Sequence, residues 1–171
     1  MTIMLNSETL EELKKNKTII LKKKFQKNSL DYNFYINPNI GIKLYNPKVI
    51  DVSDNYIVFE YNKKNALNLF ILLKNINEYI IDLYKKSDSY ELKTLYNLFM
   101  DKEDTFTIRC YLPKSKYKYN IYHYENNNQT NFNLPRKGRI YSEVFIDIRN
   151  IWIKNNKVGF NLELKETKNL F

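Results

Sequence analysis

Residues 140–164, IYSEVFIDIRNIWIKNNKVGFNLEL, decide the fold class. Apolar side chains alternate at Val144, Ile146 and Ile148, slip at Arg149-Asn150, and resume at Ile151 and Ile153. A period of two predicts a strand, and a slip of this kind is what a β-bulge produces. Asn155-Asn156 follows as a two-residue hairpin turn, because asparagine tolerates the positive φ such turns need. The return strand places Val158, Phe160, Leu162 and Leu164 on one face.

Upstream, the same period runs through 104–112, where Phe106, Ile108, Cys110 and Leu112 alternate with Thr105, Thr107, Arg109 and Tyr111. Residues 41–61 also read as strand material. Pro47 interrupts them and must lie at an edge or a bulge. Between these strand regions the period changes to 3.6. Ala66, Leu69, Phe70, Leu73, Ile76, Ile80, Ile81 and Tyr84 form one apolar stripe, which predicts a helix over 65–85. A shorter helix is expected over 89–100, carrying Leu92, Leu95, Tyr96 and Phe99. Residues 7–16 read as a third, with Ser7 or Thr9 as N-cap, acids in the first turn and lysines in the last. Ile19-Ile20-Leu21 begins a strand with a basic exit, and the Asn-rich stretch 26–40 carries no clear period.

No repeat or linker divides the 171 residues, so one domain is expected over 1–171, with 1–16 as an N-terminal helical extension. Strands, a helical stretch, then more strands is an α+β, mainly β order with no βαβ repetition. It fits an OB-like five-stranded Greek-key barrel with one long and one short helix inserted before the last strands. By analogy of fold, such barrels bind oligonucleotides.

The chain carries a net charge of +9, and 15% of its residues are aromatic, 15 of them Tyr. Codon bias in an AT-rich genome would also raise Lys, Asn, Tyr and Phe, but it would spread the charge evenly. The charge is clustered. Residues 1–27 hold seven lysines against three acids, and 113–139 hold four lysines and two arginines against Glu125 alone. The middle, 28–112, comes to −1. Clustered cations suit a path of phosphates.

The candidate phosphate contacts are Lys22, Lys23, Lys24, Lys114, Lys116, Lys118, Arg136, Lys137 and Arg139. In the segment 114–124, KSKYKYNIYHY, a strand would turn Tyr117, Tyr119, Ile121 and His123 one way and Lys116, Lys118, Asn120, Tyr122 and Tyr124 the other. Tyr117, Tyr122 and Tyr124 are the candidate stacking planes. A base stacked on such a ring contributes about 1–3 kcal/mol whatever its identity. Trp152, the only tryptophan, follows the inferred bulge, where it either caps the core or joins them. The expectation is that both basic stretches converge into one channel flanked by tyrosines.

Other chemistries find little support. Cys110 is the only cysteine, so no intrachain disulfide forms, and His123 is the only histidine, so no His/Cys zinc cluster exists. Three glycines cannot build a glycine-rich phosphate loop, and Asp101, Glu103 and Asp104 read as a solvated turn. No catalytic residue, metal or cofactor is expected, and the chain does not read as an enzyme. No apolar run spans a bilayer, and the early acids Glu8, Glu11 and Glu12 do not fit a signal peptide, so no membrane contact and a cytoplasmic location are expected.

The order of motifs resembles a family of OB-fold single-stranded-DNA-binding proteins of large cytoplasmic DNA viruses, related in pattern to proteins of yeast cytoplasmic linear plasmids. The resemblance covers roughly residues 41–166. Its carriers are Gly41-Ile42, the amphipathic helix 66–84, a short aromatic-bearing helix, the Lys137-Gly138 turn, and the closing stretch from Ile151-Trp152 through Gly159-Phe160 to Leu162. It implies an OB-fold that coats exposed strands during replication, with replication proteins as further partners. Many replicative single-strand binders recruit partners through an acidic tail ending in an aromatic residue. This chain ends in Phe171, but Leu164 to Leu170 before it is not acidic.

The expected function is therefore single-stranded DNA binding without strong sequence preference, protecting exposed strands. The alternatives are an RNA- or duplex-binding transcription factor of the same fold, or a structural or assembly protein that uses its aromatic surface for protein contacts.

Overall fold

The computed structural model describes residues 2–25, 32–87, 94–154 and 157–170. Two helices occur among them, α1 (Ser7–Asn16) and α2 (Leu67–Ser87). The longer strands are β2 (Ile20–Phe25), β3 (Tyr32–Tyr45), β4 (Lys48–Val52), β5 (Tyr56–Asn62), β8 (Thr105–Tyr111), β13 (Glu143–Lys154) and β14 (Lys157–Asn169). Between and before them run β1 (Ile3–Met4), β6 (Thr94–Leu95), β7 (Met100–Asp101), β9 (Lys114–Ser115), β10 (Lys118–Tyr119), β11 (Tyr122–Glu125) and β12 (Asn128–Thr130).

The fold is α+β, mainly β, around one large sheet. Its path is β1-β3-β13-β14-β8-β5-β4, with β2 and others attached off it, twelve strands in all. The expected sheet had five strands, and the difference has a physical reason. A strand long enough to be buried along part of its length offers backbone partners along the rest, and β3, β14 and β8 each recruit extra short strands there.

The β13–β14 hairpin is antiparallel from Glu143/Lys168 to Lys154/Lys157, and its register shifts between Ile148 and Asn150, where the sequence phase slips. The Asn155-Asn156 turn lies outside the described residues. Val144, Ile146, Ile148, Ile151 and Ile153 are all buried. Pro47 sits at the bend between β3 and β4, after Asn46 with φ 54°. Beyond that bend the chain stays tied to the segment leading into β13. Asn46 N–H donates to the Ser142 carbonyl at 3.1 Å, Val49 N–H to Arg139 at 2.8 Å and Gly138 N–H to Val49 at 2.6 Å.

Helix α2 buries Leu73, Ile76, Ile80, Ile81 and Tyr84, the stripe its period predicts. Tyr84 meets Phe34 of β3 edge-on at 5.6 Å, and Phe70 meets Phe99 and Phe106. Helix α1 is capped by Asn6 and not by Ser7 or Thr9. Asn6 Oδ1 accepts from Thr9 N–H at 2.9 Å and Thr9 Oγ1 from Asn6 N–H at 2.8 Å, a reciprocal capping box.

The second inserted helix is a correction. Residues 88–93 lie outside the described set, but 94–101 hold the short strands β6 and β7. Their backbone donors are taken by tertiary partners, Tyr96 N–H by the Val158 carbonyl at 2.8 Å and Leu98 N–H by Asn77 Oδ1 of α2 at 2.9 Å. Those bonds displace a helical pattern whose local propensity is only a weak prior. No described helix is long and apolar enough to cross a membrane.

Candidate nucleic-acid interface

The outward face of β5 and β8 forms one wall of an open groove of about 980 Å³. Tyr56 and Tyr111 are direct neighbours across that strand pair, and the Arg109 guanidinium lies 4.1 Å from the centre of the Tyr56 ring. Such a contact fixes a ring and leaves a cation beside it. The Tyr56 hydroxyl donates to Asp51 Oδ2 at 3.1 Å, and Lys137 Nζ pairs with Asp51 Oδ1 at 3.2 Å. Lys137, then Tyr56, hold the Asp51 carboxyl below the usual aspartate range.

Trp152, Tyr96 and Phe160 line the other end. Trp152 lies across Gly159, where an added Cβ would come within 2.3 Å of the indole Cζ2, so only glycine admits the ring in this position. Tyr96 packs against it with centroids 6.0 Å apart and planes tilted by 32°. The two ends are displaced along β14. Tyr111 is opposite Glu163, and Trp152 is opposite Gly159. Four residues of strand put those rows about 13 Å apart.

The basic stretches flank this groove at its two ends and do not merge into one channel. On β2, Lys24 pairs with Asn33, and Asn33 pairs with Trp152. Paired residues share a face, so Lys24 stands on the Trp152 side two strands away, about 10 Å. Lys22 shares that face through Tyr35, and Lys24 Nζ sits 5.7 Å from the Tyr35 ring centre. Lys23 points to the opposite face, its Nζ 5.9 Å from the Phe34 ring centre.

The other stretch divides. Lys114 Nζ donates to the Asp54 carbonyl at 3.4 Å, and Tyr119 Oη to the same carbonyl at 3.1 Å, so both sit beside the turn that opens the groove at its Tyr56 end. Lys137 reaches the same end through Asp51. Lys116, Tyr117, Lys118, Tyr122, Tyr124, Arg136 and Arg139 lie outside the groove lining. Ile121 and His123 are buried and Tyr122 exposed, as the alternation requires. Tyr117 departs from it. It is fully exposed and not inward, because Lys116 takes a left-handed turn at φ 40° between β9 and β10. Tyr124 is half-buried, with Lys168 Nζ 5.7 Å from its ring centre.

Arg136 and Arg139 border a separate cavity of about 580 Å³ with His123 and Glu125. Glu125 Oε1 accepts from His123 Nε2 at 2.9 Å, Asn169 Nδ2 at 2.8 Å and Arg139 Nη2 at 3.2 Å. Asn169 and His123 hold its carboxyl below the ordinary glutamate value. The other ring nitrogen of His123 lies 2.7 Å from Thr167 Oγ1. The sole histidine is thus held by hydrogen bonds in the core edge.

Sequence reasoning passed over Tyr56, Tyr96, Tyr111, Arg109 and Phe160. For Arg109 and Tyr111 the signal was present, since both occupy the outward phase of the alternating strand at 104–112. For Tyr96 the helical pattern of 89–100 gives no such signal. No protein-family model matches the chain, and no curated protein matches it.

Proposed function

We propose that this protein binds single-stranded DNA, largely independent of sequence, and that it coats and protects exposed strands during replication in the cytoplasm. The observation that carries the reading is the groove, in which Tyr56 (beside Arg109) and Tyr111 at one end and Tyr96 and Trp152 at the other are part-exposed, with lysines beyond each end. Rings of this kind accept any base, while the flanking cations track phosphates.

We read the fold behind this groove as an OB-like barrel. Support comes from the order β4-β5-β8-β14-β13, from the parallel contact of β8 with β14, and from the hydrogen bonds that return the β3–β4 bend to residues 138–142. In OB-folds the second and third strands and neighbouring loops bind oligonucleotides. In this reading those strands are β5 and β8. The role in replication and the involvement of replication proteins rest on the family resemblance.

A fluorescence titration with oligo-dT over a salt series, beside RNA and duplex of equal length, tests the proposal. Oligo-dT is expected to bind tightest, with log affinity falling by about 0.7 per phosphate contact for each tenfold rise in salt. Affinity that stays flat with salt, or a preference for duplex, refutes it.

A further inference from the structure

We infer that residues 114–139 form a second nucleic-acid surface, continuous with the groove, which takes the strand after it passes Lys137. The inference rests on the single-strand reading above and adds where a longer strand goes.

Two short links join the surfaces. The 136–139 turn, closed by the Arg139 N–H to Arg136 carbonyl bond at 3.2 Å and opened by Gly138 at φ 91°, sends Lys137 to the groove carboxylate Asp51 and Arg136 and Arg139 into the neighbouring cavity. The second link is Tyr119, whose hydroxyl reaches the groove turn at Asp54 while its ring meets Phe132 edge-on at 5.5 Å. A strand leaving the Tyr56 end of the groove therefore meets Lys137 and Tyr119 next.

What it meets there suits a polyanion carrying flat bases. A second cavity, of about 1050 Å³, opens between residues 117–122 and 129–134, and Tyr117, Tyr122 and Leu134 are exposed on it. Thr130, Asn131, Asn133 and Leu134 form a wall shared with the arginine cavity, so the two make one bipartite surface. Lys116, Lys118 and Arg136 have no ion-pair partner among the described residues. The single carboxylate, Glu125, already accepts three hydrogen bonds through one oxygen. Asn120, Gln129, Asn131 and Asn133 add amide donors and acceptors that fit base edges of any identity. This combination of unpaired cations, amides and exposed rings complements the phosphates, base edges and base faces of a nucleic-acid strand.

The test compares oligo-dT of about five nucleotides, enough for the groove, with oligo-dT of about twenty, enough for both surfaces. Two full-length variants are used, Tyr117→Ala/Tyr122→Ala and Lys118→Glu/Arg136→Glu; all four positions are exposed, so neither disturbs the core. On the longer oligomer the ring variant is expected to bind about tenfold more weakly. The charge variant should have a salt slope shallower by about 1.4, two phosphate contacts at about 0.7 each. Both should match the unaltered protein on the shorter oligomer. Unchanged binding of the longer oligomer by both variants, or equal weakening on both lengths, overturns the second surface. If the unaltered protein binds neither oligomer, the single-strand reading itself falls.

Discussion

The groove and the 114–139 surface use the same residue types, yet they hold them differently. In the groove, Trp152 rests on Gly159 and Tyr96, and Tyr56 is fixed between Asp51 and the Arg109 guanidinium. On the second surface Tyr117 is fully exposed at a turn and Tyr122 is 58% exposed. A ring already held in place loses little rotamer freedom when a base stacks on it, whereas a free ring must be ordered first. The count of tyrosines therefore says little about where affinity resides. Sheet pairing, which decides which rings are held, says more.

The largest effect should come from the glycine beneath the tryptophan. Gly159→Ala puts a Cβ into the indole, and overpacking of this kind costs about 1–3 kcal/mol. Thermal unfolding should show Tm falling by about 2–4 °C per kcal/mol for a chain of this size. The same variant should lose oligo-dT affinity, because the ring is displaced. An unchanged Tm would mean that Trp152 is not seated on Gly159.

Trp152→Ala comes next. Titration with short oligo-dT should show a loss of about 1–3 kcal/mol, with the salt slope unchanged because no cation is removed. A smaller, opposite effect is expected at Asp51, whose carboxylate pairs with Lys137. Asp51→Asn should tighten binding a few-fold and steepen its salt dependence. The pH behaviour follows from the depressed Asp51 carboxyl. Its hold on Lys137 is complete above the ordinary aspartate range and is lost only as the pH falls through the lowered folded value. Affinity of the unaltered protein should accordingly show no step from Asp51 between about pH 5 and pH 8. A step there that Asp51→Asn abolishes would contradict the ion pair.

The smallest effect belongs to the unheld ring. Tyr122→Ala alone should weaken binding of a long oligomer by less than about 1 kcal/mol and leave a short one unaffected. If it costs as much as Trp152→Ala, the distinction between held and free rings collapses.

Parts of this arrangement are legible in the sequence. The phase slip at Arg149-Asn150 is a local consequence of one extra residue, and it marks the bulge correctly. The 3.6-residue stripe from Leu69 to Tyr84 marks α2, since one helix face must be buried whatever it packs against. Residues 94–100 depart from the helix their pattern predicts because Tyr96 and Leu98 spend their backbone donors on Val158 and Asn77, residues 62 and 21 positions away. Tyr117 was turned the wrong way because one left-handed residue, Lys116, breaks the alternation that a strand would impose.

By itself the sequence determined that the chain is mainly β with one long amphipathic helix, that its positive charge is gathered in two stretches, and that rings accompany one of them. Periodicity and composition are local, so they survive without knowledge of partners. Only the tertiary structure decided that the two stretches stand at opposite ends of a groove, that Tyr56, Tyr96 and Arg109 join Trp152 in it, and that Arg136 faces away. Those placements depend on pairings such as Lys24–Asn33–Trp152 and Tyr56–Tyr111, in which residues far apart in the chain become neighbours through backbone hydrogen bonds that no local pattern encodes.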